Sequence, residues 1–149
     1  MKTVVQRVNS AYVDIEGVRV ADIKEGLLVL FGVEKGDEKA FCKELAYKIS
    51  NLRIFEDDNG KMGRSVKDIA GEMIIVSQFT LAGNCKKGLR PDFGNAMEPE
   101  TANSFYEYFT NCCKEELGES RIQTGQFAAE MNVGLENNGP VTIILEKRS

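Results

Sequence analysis

The stretch "GLLVLFGV" at residues 26–33 offers no polar side chain to either face of the strand it would form. A strand that is apolar on both faces must be covered on both, which rules out a sheet with one wet side. "MIIV" at residues 73–76 repeats the demand. The chain must therefore sandwich at least two strands between other apolar layers, and two later stretches provide the cover. Phe41, Leu45, Ile49 and Leu52, with Cys42 and Ala46 beside them, recur at helical spacing. So do Phe105, Tyr106, Phe109, Cys112, Cys113 and Leu117 in a second stretch from Glu100 to Leu117. Asp37 is the expected cap of the first helix.

Around these elements the remaining pattern is β. Two β-rich stretches flank Glu16-Gly17 and predict a hairpin. "LRIFEDDNGKMG" predicts a short strand ending in an Asn59-Gly60 turn, and the C-terminal third predicts strands with a turn at Asn137-Asn138-Gly139 before the last one. The segment from Ala82 to Pro99 is a long Gly- and Pro-bearing loop, of a length more often functional than idle. No linker or internal repeat interrupts the 149 residues, so the reading is a single domain, 1–149, of mixed α/β class.

Composition removes several chemistries. There is no histidine, so a Ser-His-Asp triad, a Cys-His pair and a histidine-bearing zinc site are all excluded; no ligand spacing points to another metal, and no cofactor is expected. The net charge of −4 gives no general basic field, so any nucleic-acid contact must be local. The apolar runs are too short to span a membrane, and the N-terminus reads as a strand where a signal peptide would need an apolar core. Cys42, Cys85, Cys112 and Cys113 are accordingly read as reduced thiols of a cytoplasmic protein, with Cys112 and Cys113 in the core.

Four constellations carry possible chemistry. In "SQFTL", Ser77, Gln78 and Thr80 place polar groups at the end of a core strand. They either cap the next turn or floor a pocket in which Phe79 supplies a packing surface. Thr80 is a poor nucleophile, since no histidine exists to serve as its base. In "CKKGLRP", Lys86, Lys87 and Arg90 form either a solvated loop or a narrow phosphate contact. Arg7 either faces water or, held against a turn, donates several hydrogen bonds to carbonyls. "NNGPVTI" reads as the hairpin turn, with the Gly139–Pro140 bond trans by ordinary preference.

Read together and in order, "QRV", "GLLVLFGV", "LRIF…GKM", "VSQFTL", "KG-x-RP-x-F", "TG-x-F" and "NNGPVT" resemble the D-aminoacyl-tRNA deacylases of the bacterial and eukaryotic type over nearly the whole chain. The resemblance implies a homodimer of layered β-sheets flanked by two amphipathic helices, with active sites at the dimer interface. It also implies a cis Gly139–Pro140 bond that enters the other subunit's pocket as a chiral gate, held by Arg7. Ser77, Gln78, Phe79 and Thr80 would form the catalytic pocket, with backbone donors near Phe79 and Thr80 facing the ester. Phe127 and Met131 would border the adenosine end. The implied substrates are the 3′ ends of D-aminoacyl-tRNA and of glycyl-tRNA(Ala), with L-aminoacyl-tRNA rejected.

This chain departs from the family pattern at Ala128-Ala129-Glu130, where Gly-Ala-Asp is common, at Asn84-Cys85-Lys86-Lys87-Gly88, and at Gly63 and Arg64. The competing readings are a non-catalytic RNA-binding domain of the same fold and a relaxed editor with a trans Gly-Pro bond.

Overall fold

β3 (Gly26–Gly32) is buried on both faces, as its composition demands, at the centre of the computed structural model, which describes residues 1–148. It pairs antiparallel with β1 (Lys2–Ile15) and parallel with β6 (Glu72–Ser77), and β6 pairs parallel with β7 (Ile122–Thr124). β2 (Val18–Ile23) returns along β1 through the predicted Glu16-Gly17 turn, both residues having positive φ. β2 and β3 thus share one edge of β1 in succession, and β8 (Asn132–Glu146) occupies its other edge along almost the whole length.

The expected layers are the two faces of this one six-stranded sheet, which curls until its ends meet. The closure is unusual in its means. β2 and β7 form no backbone ladder, and the Gln123 side-chain amide bridges them: its Oε1 accepts from the Asp22 N–H at 2.8 Å and its Nε2 donates to the Asp22 carbonyl at 2.9 Å. A separate ribbon, β4 (Phe55–Glu56) with β5 (Met62–Arg64), carries the Asn59-Gly60 turn.

The period-2 alternation of the central strands divides the core in two. Leu27, Val29 and Phe31 of β3, with Met73 and Ile75 of β6, face the helices α1 (Ala40–Asn51) and α2 (Pro99–Leu117). The Phe31 and Phe109 rings stack there at 4.4 Å. Leu28, Ile74 and Val76 point the other way, into a smaller core closed by Val8, Ala11, Val13, Ala21 and Ile23. The helical stripes fall largely where their spacing put them: Phe41, Cys42, Leu45, Ala46 and Ile49 are buried on α1, as are Phe105, Tyr106, Phe109, Cys112, Cys113 and Leu117 on α2, while Leu52 lies just past the end of α1 and is half-buried. All four cysteines are free, and only Cys85 is exposed. Burial pushes the Cys42 thiol up to about 12 and raises that of Cys113 too, so both stay neutral at physiological pH.

Two local expectations are corrected. Asp37 does not cap α1; the helix starts at Ala40, and Lys39 stands at its cap position without a side-chain bond. The Asp37 carboxylate is already engaged by the Met1 amino group at 2.6 Å and the Glu34 N–H at 2.7 Å. The polar residues of "SQFTL" do fall at the strand's end: β6 stops at Ser77, and a 3₁₀ turn (Phe79–Ala82) follows.

The second correction concerns "NNGPVTI", which is not a hairpin before a final strand. β8 pairs with β1 on both sides of the motif, Val8 facing Asn137 and Gln6 facing Thr142, so residues 138–141 bulge out of a continuous strand opposite Arg7. The Asn137 side chain clips the base of the bulge, accepting from the Val141 N–H at 2.7 Å and donating to the Val141 carbonyl at 3.1 Å.

Phe109 is wholly buried against Phe31 on the helix side. Replacing it with alanine should cost about 3–5 kcal/mol of unfolding free energy, measured by denaturant titration.

Candidate active site

Three strands run parallel in this sheet, β3, β6 and β7, and the ends of β3 and β6 and the chain beyond β7 meet at one cavity of about 740 Å³. The carboxyl ends of parallel strands are where open α/β sheets place ligands, because the chain must leave the sheet there. Phe31, Gly32 and Val33 contribute from the end of β3, Val76, Ser77 and Gln78 from the end of β6, and Phe127, Ala128, Ala129 and Met131 from the chain that leaves β7. Met97, Glu98, Pro99 and Ala102 close the side toward the start of α2. Motifs some fifty residues apart in sequence thus form one wall.

Of the residues singled out from sequence, Ser77, Gln78, Phe79, Phe127 and Met131 line the cavity. Ser77 and Gln78 are half-buried, and Phe79 is exposed at the mouth, edge-on to Phe93 with ring centroids 5.4 Å apart. Thr80 is exposed outside the lining, its hydroxyl accepting from the Gln78 side-chain amide. Phe79 and Thr80 open the 3₁₀ turn, so their backbone N–H groups have no partner within it.

Phe127 rests against Tyr106, centroids 6.1 Å apart. Burial raises the Tyr106 phenol to about 12, and its O–H donates to the Ile75 carbonyl at 2.7 Å, so it is a fixed neutral support.

Arg7, Gly139 and Pro140 are not at this cavity. Arg7 is buried, with Nε donating to the Asn138 carbonyl at 2.9 Å and Nη1 to the Ile54 carbonyl at 2.7 Å. The guanidinium fork thus ties the base of the bulge to the chain before β4. Gly139 and Pro140 are exposed at the tip, and their peptide bond is cis, not trans. Gly139 has φ +136°, and a β-carbon there would meet Val141 Cγ2 at 2.8 Å and Arg7 Nη2 at 3.1 Å, so the position requires glycine.

Lys86, Lys87 and Arg90 are exposed on a loop beside the mouth. Its base is fixed by reciprocal backbone bonds between Asn84 and Asp92 at 2.7 and 2.8 Å, and Phe93 and Gly94, which follow, line the cavity.

Sequence reasoning missed Gly32, Met97, Glu98 and Ala102. Gly32 carried a signal at the close of the apolar run: a β-carbon there would lie 2.8 Å from the Gln78 carbonyl oxygen. Glu98 was hidden because acidic caps are less obvious than Ser or Asp. It caps α2 by accepting from the Thr101 N–H at 2.7 Å and the Glu100 N–H at 3.2 Å, and from the Thr101 hydroxyl. That hydroxyl first, then those N–H groups, hold its carboxyl below the usual range. Because the folded-state value is depressed, the cap's contribution is complete above the ordinary carboxylate range and is lost as pH falls through the lowered value. Glu98→Gln should therefore lose stability relative to wild type at neutral pH, with the gap closing in acid, as checked by thermal melts across pH 2–7.

The family model described as D-Tyr-tRNA(Tyr) deacylase matches residues 4–146. A D-aminoacyl-tRNA deacylase of Geotalea daltonii is 57% identical over 146 residues, covering 98% of this chain and 96% of that one. A D-aminoacyl-tRNA deacylase of Thermosipho africanus is 51% identical over 148 residues, covering 99% and 98%. Among solved structures, "c-Myc DNA Unwinding Element Binding Protein" superposes with a TM-score of 0.95 at 41% identity over 100% of both chains. A probable eukaryotic D-amino acid tRNA deacylase shares the fold, with a TM-score of 0.82 at 16% identity over 97% of both.

Proposed function

The chain belongs to the D-Tyr-tRNA(Tyr) deacylase family, and from that premise we propose how it works as a D-aminoacyl-tRNA deacylase, hydrolysing the ester that joins a D-amino acid to tRNA. The observation that carries the mechanism is the convergence of Ser77, Gln78, Phe79, Phe127 and Met131 on one cavity in a protein without histidine. An aminoacyl ester is intrinsically labile, so the site need not supply a nucleophile and base. The backbone N–H groups of Phe79 and Thr80 receive the ester carbonyl oxygen as it becomes an oxyanion, each such donor being worth about 2.7–4 kcal/mol.

The 2′-hydroxyl of the terminal adenosine moves the proton while the cavity holds water and ester in register. The Thr80 hydroxyl, engaged by Gln78, is a positioning group and not the attacking one. Phe127 and Met131 border the adenosine, and Lys86, Lys87 and Arg90 meet phosphates near the 3′ end.

Chirality is read by exclusion, and the reader comes from a second copy. Gly139–Pro140 lies about 20 Å along β8 from Val133 in the cavity wall, at some 3.3 Å per residue, so it does not serve its own site. β8 is also an edge strand of 15 residues whose outer edge pairs with no other described strand, a surface that proteins ordinarily cover. An isologous contact along β8 centred near Glu136 lays Gly139–Pro140 of one copy beside residues 132–133 of the other.

The active form is therefore a homodimer, with each gate, anchored by Arg7, in its partner's pocket. A rigid polar wall at the α-carbon rejects an L side chain and ignores the identity of a D one. Glycine has nothing to collide, so glycyl-tRNA(Ala) is a second substrate. Charged tRNA places the enzyme in the cytoplasm.

With matched D- and L-tyrosyl-tRNA, the D ester should be lost rapidly and the L ester spared, and a 2′-deoxy terminal adenosine should slow the D reaction sharply. Loss of neither ester, or a 2′-deoxy substrate cleaved at the full rate, would refute the mechanism. For the gate in trans, Ala102→Trp fills the pocket, and Gly139→Trp, at a position that admits no β-carbon without a shift, displaces the tip and obstructs the pocket it enters, so each homodimer should be inactive. Mixed and re-equilibrated, the two variants should recover roughly a quarter of wild-type activity, one sound site in each of the half of dimers that are hybrid. No recovery would place the gate in cis.

A further inference from the structure

Three non-glycine residues among the described ones have left-handed backbone: Glu16, Ala70 and Ala128. Glu16 lies in the β1–β2 turn and Ala70 in the turn before β6, both away from the cavity. Ala128 lines it. The Ala129 N–H donates to the Gln126 carbonyl at 3.2 Å, closing a four-residue turn in which Ala128 is third, with φ +61°. A turn with a left-handed third residue takes glycine without strain, whereas a β-carbon there crowds the backbone. The methyl contributes nothing to the buried cores, since Ala128 is exposed and belongs to neither. Conformational strain retained at a position of no packing value, on the wall of a binding cavity, is the pattern expected where the side chain serves the ligand.

The methyl is also held in place. Phe127 before it rests on Tyr106, and the turn bond fixes the residue after it. Further along, Met131 packs so closely over Gly125 that a β-carbon at 125 would lie 2.5 Å from its sulfur. The segment is thus a rigid wall, and the Ala128 Cβ is a fixed point on it between Phe127 and Met131.

We propose that Ala128 is a binding-specificity residue: its methyl completes the apolar wall against the terminal nucleoside of the substrate, so that binding of the 3′ end, and not the chemical step, depends on it. The inference rests on the reading of this cavity as the deacylase site.

The test compares wild type, Ala128→Gly and Ala128→Ser with D-tyrosyl-tRNA and D-alanyl-tRNA. Glycine accepts the turn freely, so folding is not in question, and a melting curve verifies it. Ala128→Gly should raise KM about fourfold, the worth of one buried methyl, equally for both esters and with kcat unchanged. Ala128→Ser, which keeps the β-carbon, should restore KM to near the wild-type value. An unchanged KM in the glycine variant overturns the proposal. A rise confined to one amino acid also overturns it, because the methyl would then face the aminoacyl side chain, and so does a fall in kcat at constant KM. If wild type hydrolyses neither ester, the deacylase reading itself fails and takes this inference with it.

Discussion

Everything in this molecule depends on the double-sided burial of β3 and β6. Two adjacent parallel strands with no polar face cannot lie at a surface, so both helices must cover one side and the curled ends of the sheet the other. Once they are enclosed, the only way out for the chain is at their carboxyl ends, where Gly32 and Ser77 leave the sheet side by side and a cavity opens between the departing segments. The polar residues that follow "MIIV" are tolerated at a core strand's end because the core stops there. The site is therefore a geometric consequence of how the core closes.

Much of this was legible because periodicity reports burial directly. The stripes on α1 and α2, the two central strands and the Glu16-Gly17 hairpin followed from spacing alone, and the choice between cap and pocket at "SQFTL" turned on a cavity that only the fold could supply. What escaped was set by long-range partners. Asp37 looks like a cap until the Met1 amino group, distant in sequence, takes its carboxylate. The bulge at Asn138–Val141 looks like a turn because Gly-Pro usually marks one. Only the register of β8 against β1, with Arg7 filling the gap, shows a single strand passing through. Arg7 itself left water or carbonyls as alternatives; its two acceptors, Ile54 and Asn138, lie 47 and 131 residues away and no local pattern names them.

The start and the middle of β8 have opposite characters. Near Met131 and Val133 the chain is wall, half-buried and apolar; at Gly139–Pro140 it is an exposed tip stiffened from behind by a buried guanidinium. Both are held in place, one by close packing of Met131 over Gly125 and the other by the Arg7 fork. The fork of Arg7 has the added effect of making the tip's position answer to Ile54, next to the β4–β5 ribbon, so the tip is registered to the body of the domain and not only to its own strand.

The seam between β2 and β7 has a different consequence. A sheet sealed by the single amide of Gln123 has one weak line in an otherwise continuous ladder. Parting there breaks two hydrogen bonds and no strand pairing, and it uncovers the smaller core around Ala21, Ile23 and Ile74 while leaving the helix side, and Phe31 and Phe109 within it, untouched. The Asp22 amide hydrogen, held across the seam, therefore exchanges with solvent through a local opening far shallower than global unfolding, while those of β3 wait for the whole molecule. The weakest line of the sheet thus lies at its seam, away from the stacked rings that support the strands at the cavity.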